Sequence, residues 1–346
     1  MTDPQWQDIL NLISGAPPPS PAIGFIIDSP WLPGWHGDTT LDYYTSDEIW
    51  LQANSQAVQT FPEAIFVPGF WSEYGMCTEP SAFGAKQVWY KSELPHAGRV
   101  IAAAEQISAL QKPCVETDGL LPFVIARLAH AAPRLESMGH RIRFAISRGP
   151  LNIASFLMGT TEFMTLLALE QELTHSLLST ITDFIVDWLR YQKTCFPSID
   201  GIFVLDDLVG FVGDRDCRTF VVPYLTKIFA AFPAAARFFH NDAKGLVCAP
   251  HLSGCGVNMF NFSHEHPMDA MRRAAGESMV LVGNIPPREV LASGTAQDVK
   301  KAVAGAWESC SDRSRILWSC GGGMPPGVPE ANIRSFIAAV LDLHNT

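Results

Sequence analysis

Apolar residues in this chain come in short, nearly unbroken runs. Longer stretches separate them, in which apolar positions recur every three or four residues. The runs are Ala22–Asp28, Ala64–Phe70, Ile142–Ser147, Gly201–Asp207, Ala236–Asp242, Val257–Phe262, Met279–Ile285 and Arg315–Cys320. Apolar side chains at almost every position predict parallel strands buried on both faces. The intervening stretches predict helices. The longest is Thr161–Thr194, which contains no Pro or Gly, followed by Thr219–Ala235, His266–Ala275, Thr295–Cys310 and Pro329–Asn345. Eight strands alternating with helices predict an α/β fold of the (β/α)₈ TIM-barrel type rather than an open doubly wound sheet. No G-x-G-x-x-G follows an early strand, so dinucleotide binding has no support. Ala16-Pro17-Pro18-Pro19-Ser20-Pro21 reads as the boundary between a leading helix and the first strand. Tyr90–His140 fits the alternation less well, and Pro113–Gly119 is expected to form an extra strand or hairpin outside the barrel. Residues 1–346 are read as one barrel domain with an aromatic, acidic N-terminal extension over about residues 1–60.

Composition narrows the function classes. The chain has 346 residues and is 47% hydrophobic, enough for a large core. No apolar run reaches the roughly 18 residues of a membrane span, and the N-terminus lacks a signal-peptide pattern, so a cytoplasmic location is expected. Eight cysteines occur without a C-x-x-C pair, which predicts buried thiols rather than a disulfide framework. A net charge of −11 argues against nucleic-acid and membrane partners. Its distribution says more: the first Lys or Arg is Lys86, preceded by ten acidic residues and by Trp31, Trp35, Tyr43, Tyr44, Trp50, Trp71 and Tyr74. Such a segment can wall a pocket for a flat neutral or cationic ligand, or can simply place aromatic core residues under an acidic surface. The oligomeric state stays open, a homodimer included.

In this fold the active site lies at the C-terminal ends of the strands. Those ends carry Asp28, Phe70, Arg148, Asp206-Asp207, His240-Asn241-Asp242, Asn261, Asn284 and Cys320. His240 and Asp242, two residues apart on an extended strand, point to the same side. They can share one metal ion, or Asp242 can orient the imidazole; a locally hydrogen-bonded histidine is the structural alternative. Cys320 precedes three glycines and offers the soft donor zinc favours, or is a small buried thiol before a turn. Asp206 and Asp207 suit general acid–base work, although one of two such carboxylates commonly anchors a helix or loop. Glu79 is a candidate fourth ligand. Asp28, Trp31, Phe70, Trp71, Asn284 and Met324 are candidate substrate contacts. His251, His264 and His266 match no zinc spacing and read as loop residues.

With these residues the chain resembles the uroporphyrinogen decarboxylase superfamily. The likeness spans roughly residues 140–340. It rests on Gly149-Pro150 through Gly159, Asp200 through Asp207, Val222-Pro223-Tyr224, Gly283-Asn284 through Pro287, and Cys320 through Asn332. The resemblance implies a (β/α)₈ barrel and one of two chemistries. The metal-free decarboxylase branch binds its substrate's carboxylates with an arginine-bearing motif at the first strand, which is absent here. The corrinoid-dependent methyltransferase branch holds zinc with a His-x-Cys pair and a later Cys. This chain keeps His240 and Cys320 and has Asp242 at the middle position. A carboxylate there suits polarising an oxygen rather than activating a thiol. The resemblance therefore implies a zinc-dependent methyltransferase that moves a methyl group between a small O-methyl substrate, such as a methoxylated aromatic, and cobalamin carried by a partner corrinoid protein. A metal-free decarboxylase or lyase, a coenzyme M-like thiol methyltransferase and a non-enzymatic binding barrel are the alternatives. No cobalamin-binding segment is evident in the chain itself.

Overall fold

In the computed structural model, residues 1–16, 20–243 and 247–345 are described. The central prolines of the expected boundary, Pro17–Pro19, lie outside them. All the expected barrel strands form: β1 Gly24–Ile26, β2 Ile65–Val67, β3 Phe144–Arg148, β4 Gly201–Leu205, β5 Ala236–Asn241, β6 Met259–Phe262, β7 Val280–Ile285 and β8 Ile316–Cys320. β3 to β8 make one six-stranded parallel sheet, with pairings such as Phe144↔Gly201, Gly201↔Ala236 and Ile316↔Leu281. β1 pairs in parallel with β2 and meets β8 through the bridges Ile23↔Trp318 and Ile26↔Gly323. The strand order is thus 2-1-8-7-6-5-4-3, a TIM-type barrel with a seam between β2 and β3, where the described residues form no ladder.

Alternation along each strand sorts side chains into two layers. Ile26, Val67, Phe144, Phe203, Phe238, Met259, Val282 and Leu317 fill the interior. Ala145, Ile202, Val204, Phe239, Phe260, Leu281, Ile316, Trp318 and Cys320 share the outer core with the surrounding helices. The leading helix, Asp3–Ser14, adds Trp6, Ile9 and Leu12 to the interior cluster, and Trp6 meets Phe144 edge-on with ring centroids 5.4 Å apart. A capping box between Thr2 and Gln5 starts that helix, and Gly15 ends it at φ 80°.

The seam is closed by side chains. Gln192 donates its amide to the Ile146 carbonyl at 2.9 Å and accepts the Ile146 N–H at 2.9 Å. It thereby supplies β3 with the donor and acceptor of a missing strand neighbour. The Arg148 N–H donates to Glu79 Oε1 at 2.8 Å. Beside these contacts lies a cavity of about 30 Å³ lined by Phe70, Trp71, Ile146 and Gln192, with room for ordered water.

Three expectations are corrected. Thr161–Thr194 is two helices, Thr160–Leu169 and Gln171–Cys195. The break is Glu170, at φ −126° and ψ 71°, whose carbonyl accepts the Thr174 N–H at 3.0 Å and the Thr174 hydroxyl at 2.9 Å. Both helices carry the same apolar spacing, so periodicity alone does not reveal the corner. Thr219–Ala235 is likewise replaced by Asp214–Phe220 and Val222–Phe229, which meet at Val221 with Pro223 in the second helix's first turn. Pro113–Gly119 is a turn held by Asp118, whose carboxylate accepts the Cys114 N–H at 2.9 Å. The small antiparallel pair is instead Gln87–Val88 with His96–Ala97. No single helix is long and apolar enough to cross a membrane.

Candidate active site

His240 lies on the face of β5 that carries Ala236 and Phe238, and therefore points into the barrel. It is buried, at 5% exposure. Asn261 of β6 sits directly opposite in the register. The Asn261 amide donates to the Val282 carbonyl at 2.8 Å and to the Cys320 carbonyl at 3.2 Å. With both amide hydrogens spent on carbonyls, its oxygen faces His240 Nδ1 at 2.7 Å. That assignment puts the imidazole proton on Nδ1 and leaves the Nε2 lone pair free.

Nε2 looks at two carboxylates. Asp207 Oδ1 is 3.5 Å away and Asp242 Oδ2 is 4.0 Å away. The backbone N–H of Asp242 donates to Asp207 Oδ1 at 3.3 Å. One ligand atom from each of Asp207, His240 and Asp242 falls within 4.8 Å of the other two. Two donors at about 2.1 Å from one tetrahedral ion stand about 3.4 Å apart, so this spacing needs only small adjustment to hold a divalent cation. Desolvation raises the Asp207 carboxyl above the ordinary carboxylate range, with the charge of Asp242 adding to it and His240 opposing it. A cation between these groups removes that repulsion.

Two expected ligands, Cys320 and Glu79, are not among these converging atoms. Cys320, on the strand face of Ile316 and Trp318, packs in the outer core, and its thiol donates to the Gly322 carbonyl at 3.2 Å. Burial pushes that thiol up to about 12. The glycines after it bring backbone close to other residues: Asp242 Oδ2 is 2.7 Å from where a Gly322 Cβ would stand. Glu79 is occupied at the seam, where Arg148 Nη1 lies 3.4 Å from Oε2 in addition to the backbone contact.

Asp206 and Asp207 divide their work by strand alternation. Asp206 points outward, is fully buried, and accepts the N–H groups of Leu151 at 2.9 Å and Asn152 at 3.0 Å. It thus anchors the first turn of the helix Pro150–Met158. A Cβ on Gly149 would overlap its carboxylate, which explains the glycine there. Burial raises the Asp206 carboxyl well above its usual range, although both amides pull it back. The helix-anchor reading therefore describes Asp206, and Asp207 is the member that faces the mouth.

The other side of the mouth is a second charged group, which the sequence reading missed as a unit. Arg148 Nη2 pairs with Glu73 Oε2 at 2.9 Å, and the Ser29 hydroxyl donates to Glu73 Oε1 at 2.6 Å. Burial pulls the guanidinium down, but Glu79 and Glu73 outweigh it, so Arg148 stays firmly charged. Asp28 belongs to this group. Desolvation and then Glu73 raise its carboxyl well above the ordinary range, against the pull of Arg148.

The proposed aromatic contacts are core residues. Trp31 is buried, donates to the Val328 carbonyl at 3.0 Å and stacks on Trp35. Phe70 packs edge-on against Trp50 and His140. Trp71 meets Phe203, with the Arg148 guanidinium 6.0 Å from its ring. Met324 is buried and its N–H donates to the Ile26 carbonyl at 2.9 Å. Asn284 donates to the His266 carbonyl at 2.6 Å.

A family model described as uroporphyrinogen decarboxylase (URO-D) matches residues 35–343. A uroporphyrinogen decarboxylase of Psychromonas ingrahamii is 24% identical over 280 residues, covering 77% of this chain and 76% of that protein. Among solved structures, a methyltransferase from Methanosarcina mazei superposes with a TM-score of 0.82 at 16% identity, over 98% of both chains. A putative vitamin-B12-independent methionine synthase from Listeria monocytogenes gives 0.55 at 10% identity, over 94% of this chain and 97% of its own. At these identities the structural matches speak for a shared barrel.

Proposed function

The chain belongs to the uroporphyrinogen decarboxylase (URO-D) family, and within it we propose a zinc-dependent methyltransferase that moves a methyl group from an O-methyl substrate to the corrinoid of a partner protein. The observation that carries this reading is the buried His240. Its tautomer is set by Asn261, and its free Nε2 faces Asp207 and Asp242. Three ligand atoms converging in this way suit a metal ion. The likeness in fold to a methyltransferase points the same way.

Arg148 argues against the decarboxylase alternative. A porphyrinogen carries several carboxylates and needs cations to hold them. Arg148, at the end of β3, is already spent on Glu73 and Glu79. The coenzyme M-like alternative loses support from the position of Cys320, because that chemistry relies on sulfur donors around the ion.

The bound ion would act as a Lewis acid toward the substrate oxygen. The chain's own part is to hold that oxygen opposite Nε2 of His240, to fix the imidazole through Asn261, and to set the height of Asp207 through the Asp206 anchor. The partner's corrinoid would accept the methyl group as the oxygen–carbon bond breaks, and the oxygen left behind would take up a proton from solvent.

The test mixes purified protein, cob(I)alamin and an uncharged methoxyphenol, and follows conversion of the cob(I)alamin spectrum to that of methylcob(III)alamin. Turnover should stop on chelation and return with zinc. Absence of stoichiometric metal in the active protein, or turnover of a carboxylated substrate that survives chelation, would overturn the proposal.

A further inference from the structure

We propose that the metal site is free of sulfur, with Asp207, His240 and Asp242 as its three protein ligands and Cys320 as a buried residue that supports the site through its backbone. The inference rests on the metal-dependent reading of the mouth and deepens it, since it names the donor set and hence the class of ion.

Strand alternation is the first argument. The inward face of β4 carries Phe203 and leads to Asp207; that of β5 carries Ala236 and Phe238 and leads to His240 and then Asp242. On β8 the inward face carries Leu317, whereas Cys320 continues the outward series of Ile316 and Trp318. Ligand atoms from Asp207, His240 and Asp242 converge within 4.8 Å, and the Cys320 sulfur is not in that group.

Hydrogen bonding is the second, independent argument. His240 is buried, and its Nδ1 is committed to Asn261 at 2.7 Å, so the remaining ring nitrogen is aimed between two carboxylates. The Cys320 sulfur is engaged with the Gly322 carbonyl at 3.2 Å, and the Cys320 carbonyl accepts from Asn261 at 3.2 Å. Cys320 therefore acts at second remove: it holds the asparagine that holds the histidine. One imidazole and two carboxylates make a hard donor set with room for solvent or substrate oxygen, suited to zinc, iron(II) or cobalt(II) bound through nitrogen and oxygen alone.

Cobalt(II) loading tests this without any turnover assay. The cobalt form of the wild type should show ligand-field bands and lack the intense near-ultraviolet band of thiolate-to-cobalt charge transfer. Cys320→Ser should keep stoichiometric metal and the wild-type spectrum. Asp207→Ala should weaken cobalt binding in chelator competition at least about as much as loss of a supporting residue does, some 10–100-fold, while far-ultraviolet circular dichroism confirms that the barrel is folded. A thiolate band in the wild type, metal loss in Cys320→Ser, or undiminished affinity in folded Asp207→Ala would overturn the donor set. These readouts are separate from methyl transfer. A sulfur-free site in a protein that transfers no methyl group refutes the proposed function alone, and a thiolate site in an active methyltransferase refutes this inference alone.

Discussion

Gln192→Leu offers a direct test of how the barrel is closed. The substitution keeps the size of the side chain and removes both polar contacts to β3, leaving the N–H and C=O of Ile146 without the partners they have at 2.9 Å each. Each orphaned buried backbone group costs about 1–3 kcal/mol, so the pair costs about 2–6. Burying leucine in place of an amide returns roughly 1–2 kcal/mol. The difference is a net loss of up to about 5 kcal/mol with a midpoint of about 2.5, read by urea unfolding followed through tryptophan fluorescence. Gln192→Glu sharpens the test. An ionised glutamate still accepts the Ile146 N–H but turns a second lone pair on the Ile146 carbonyl; a protonated one restores the donor. The Glu variant's folded-state pKa should be raised, so its stability should fall as pH rises through that value and recover in acid. A Leu variant within about 0.5 kcal/mol of wild type, or a Glu variant with the pH dependence of wild type, would refute the idea that this amide stands in for a strand.

Asn261→Leu should lower metal affinity by about 10–100-fold while the fold survives, because the imidazole loses the acceptor that sets its tautomer; chelator competition measures it, and unchanged affinity would remove Asn261 from the site. Asp28→Asn should be more stable than wild type at neutral pH. The Asp28 carboxyl is raised in the fold, so the native state holds its proton over a range where the unfolded chain has lost it, and stability falls as pH rises through that range. The advantage of the variant should therefore shrink as pH drops towards the ordinary carboxylate value, and a pH-independent difference would contradict the assignment. Gly149→Ala should destabilise by about 1–3 kcal/mol, as overpacking does, because its Cβ overlaps the Asp206 carboxylate; a variant as stable as wild type by denaturant titration would show that Asp206 has room to move.

The barrel itself was legible because its signal is redundant: each strand falls in a nearly unbroken apolar run, and such runs recur eight times along the chain. Helix corners were not. Glu170 and Val221 sit inside unbroken helical periodicity, and only backbone geometry exposes the breaks. His240, Asp242 and Asp207 could all be named as chemical candidates, but sorting ligand from anchor required strand parity. Counting by two from Phe203 puts Asp207 inside and Asp206 outside, and counting from Leu317 puts Ser319 inside and Cys320 outside. That count was available in the sequence. Gln192 also left a trace, as a polar residue on the buried face of a helix beside Trp188 and Leu189. Glu73 left none, since its meaning comes from Arg148, 75 positions away.

The charges at the mouth connect the two sides of the site. With a divalent ion bound, the charges of Asp207 and Asp242 are balanced by the metal. Arg148 is outnumbered by its partners Glu73 and Glu79, and Asp28 holds its proton more tightly than an ordinary carboxyl. No uncommitted cation then faces an incoming substrate from these groups, and a carboxylate entering there would be desolvated beside a mildly negative lobe. On the proposed function, the methyl donor that fits is therefore uncharged, with its ether or alcohol oxygen as the one strongly bound atom. The same balance agrees with the absence of any arginine or lysine around the first strand. On that reading, with Asp28 at the end of the first strand and Arg148 on β3 neutralised by Glu73 and Glu79, the mouth would hold its substrate through a metal rather than through cations that bind carboxylates.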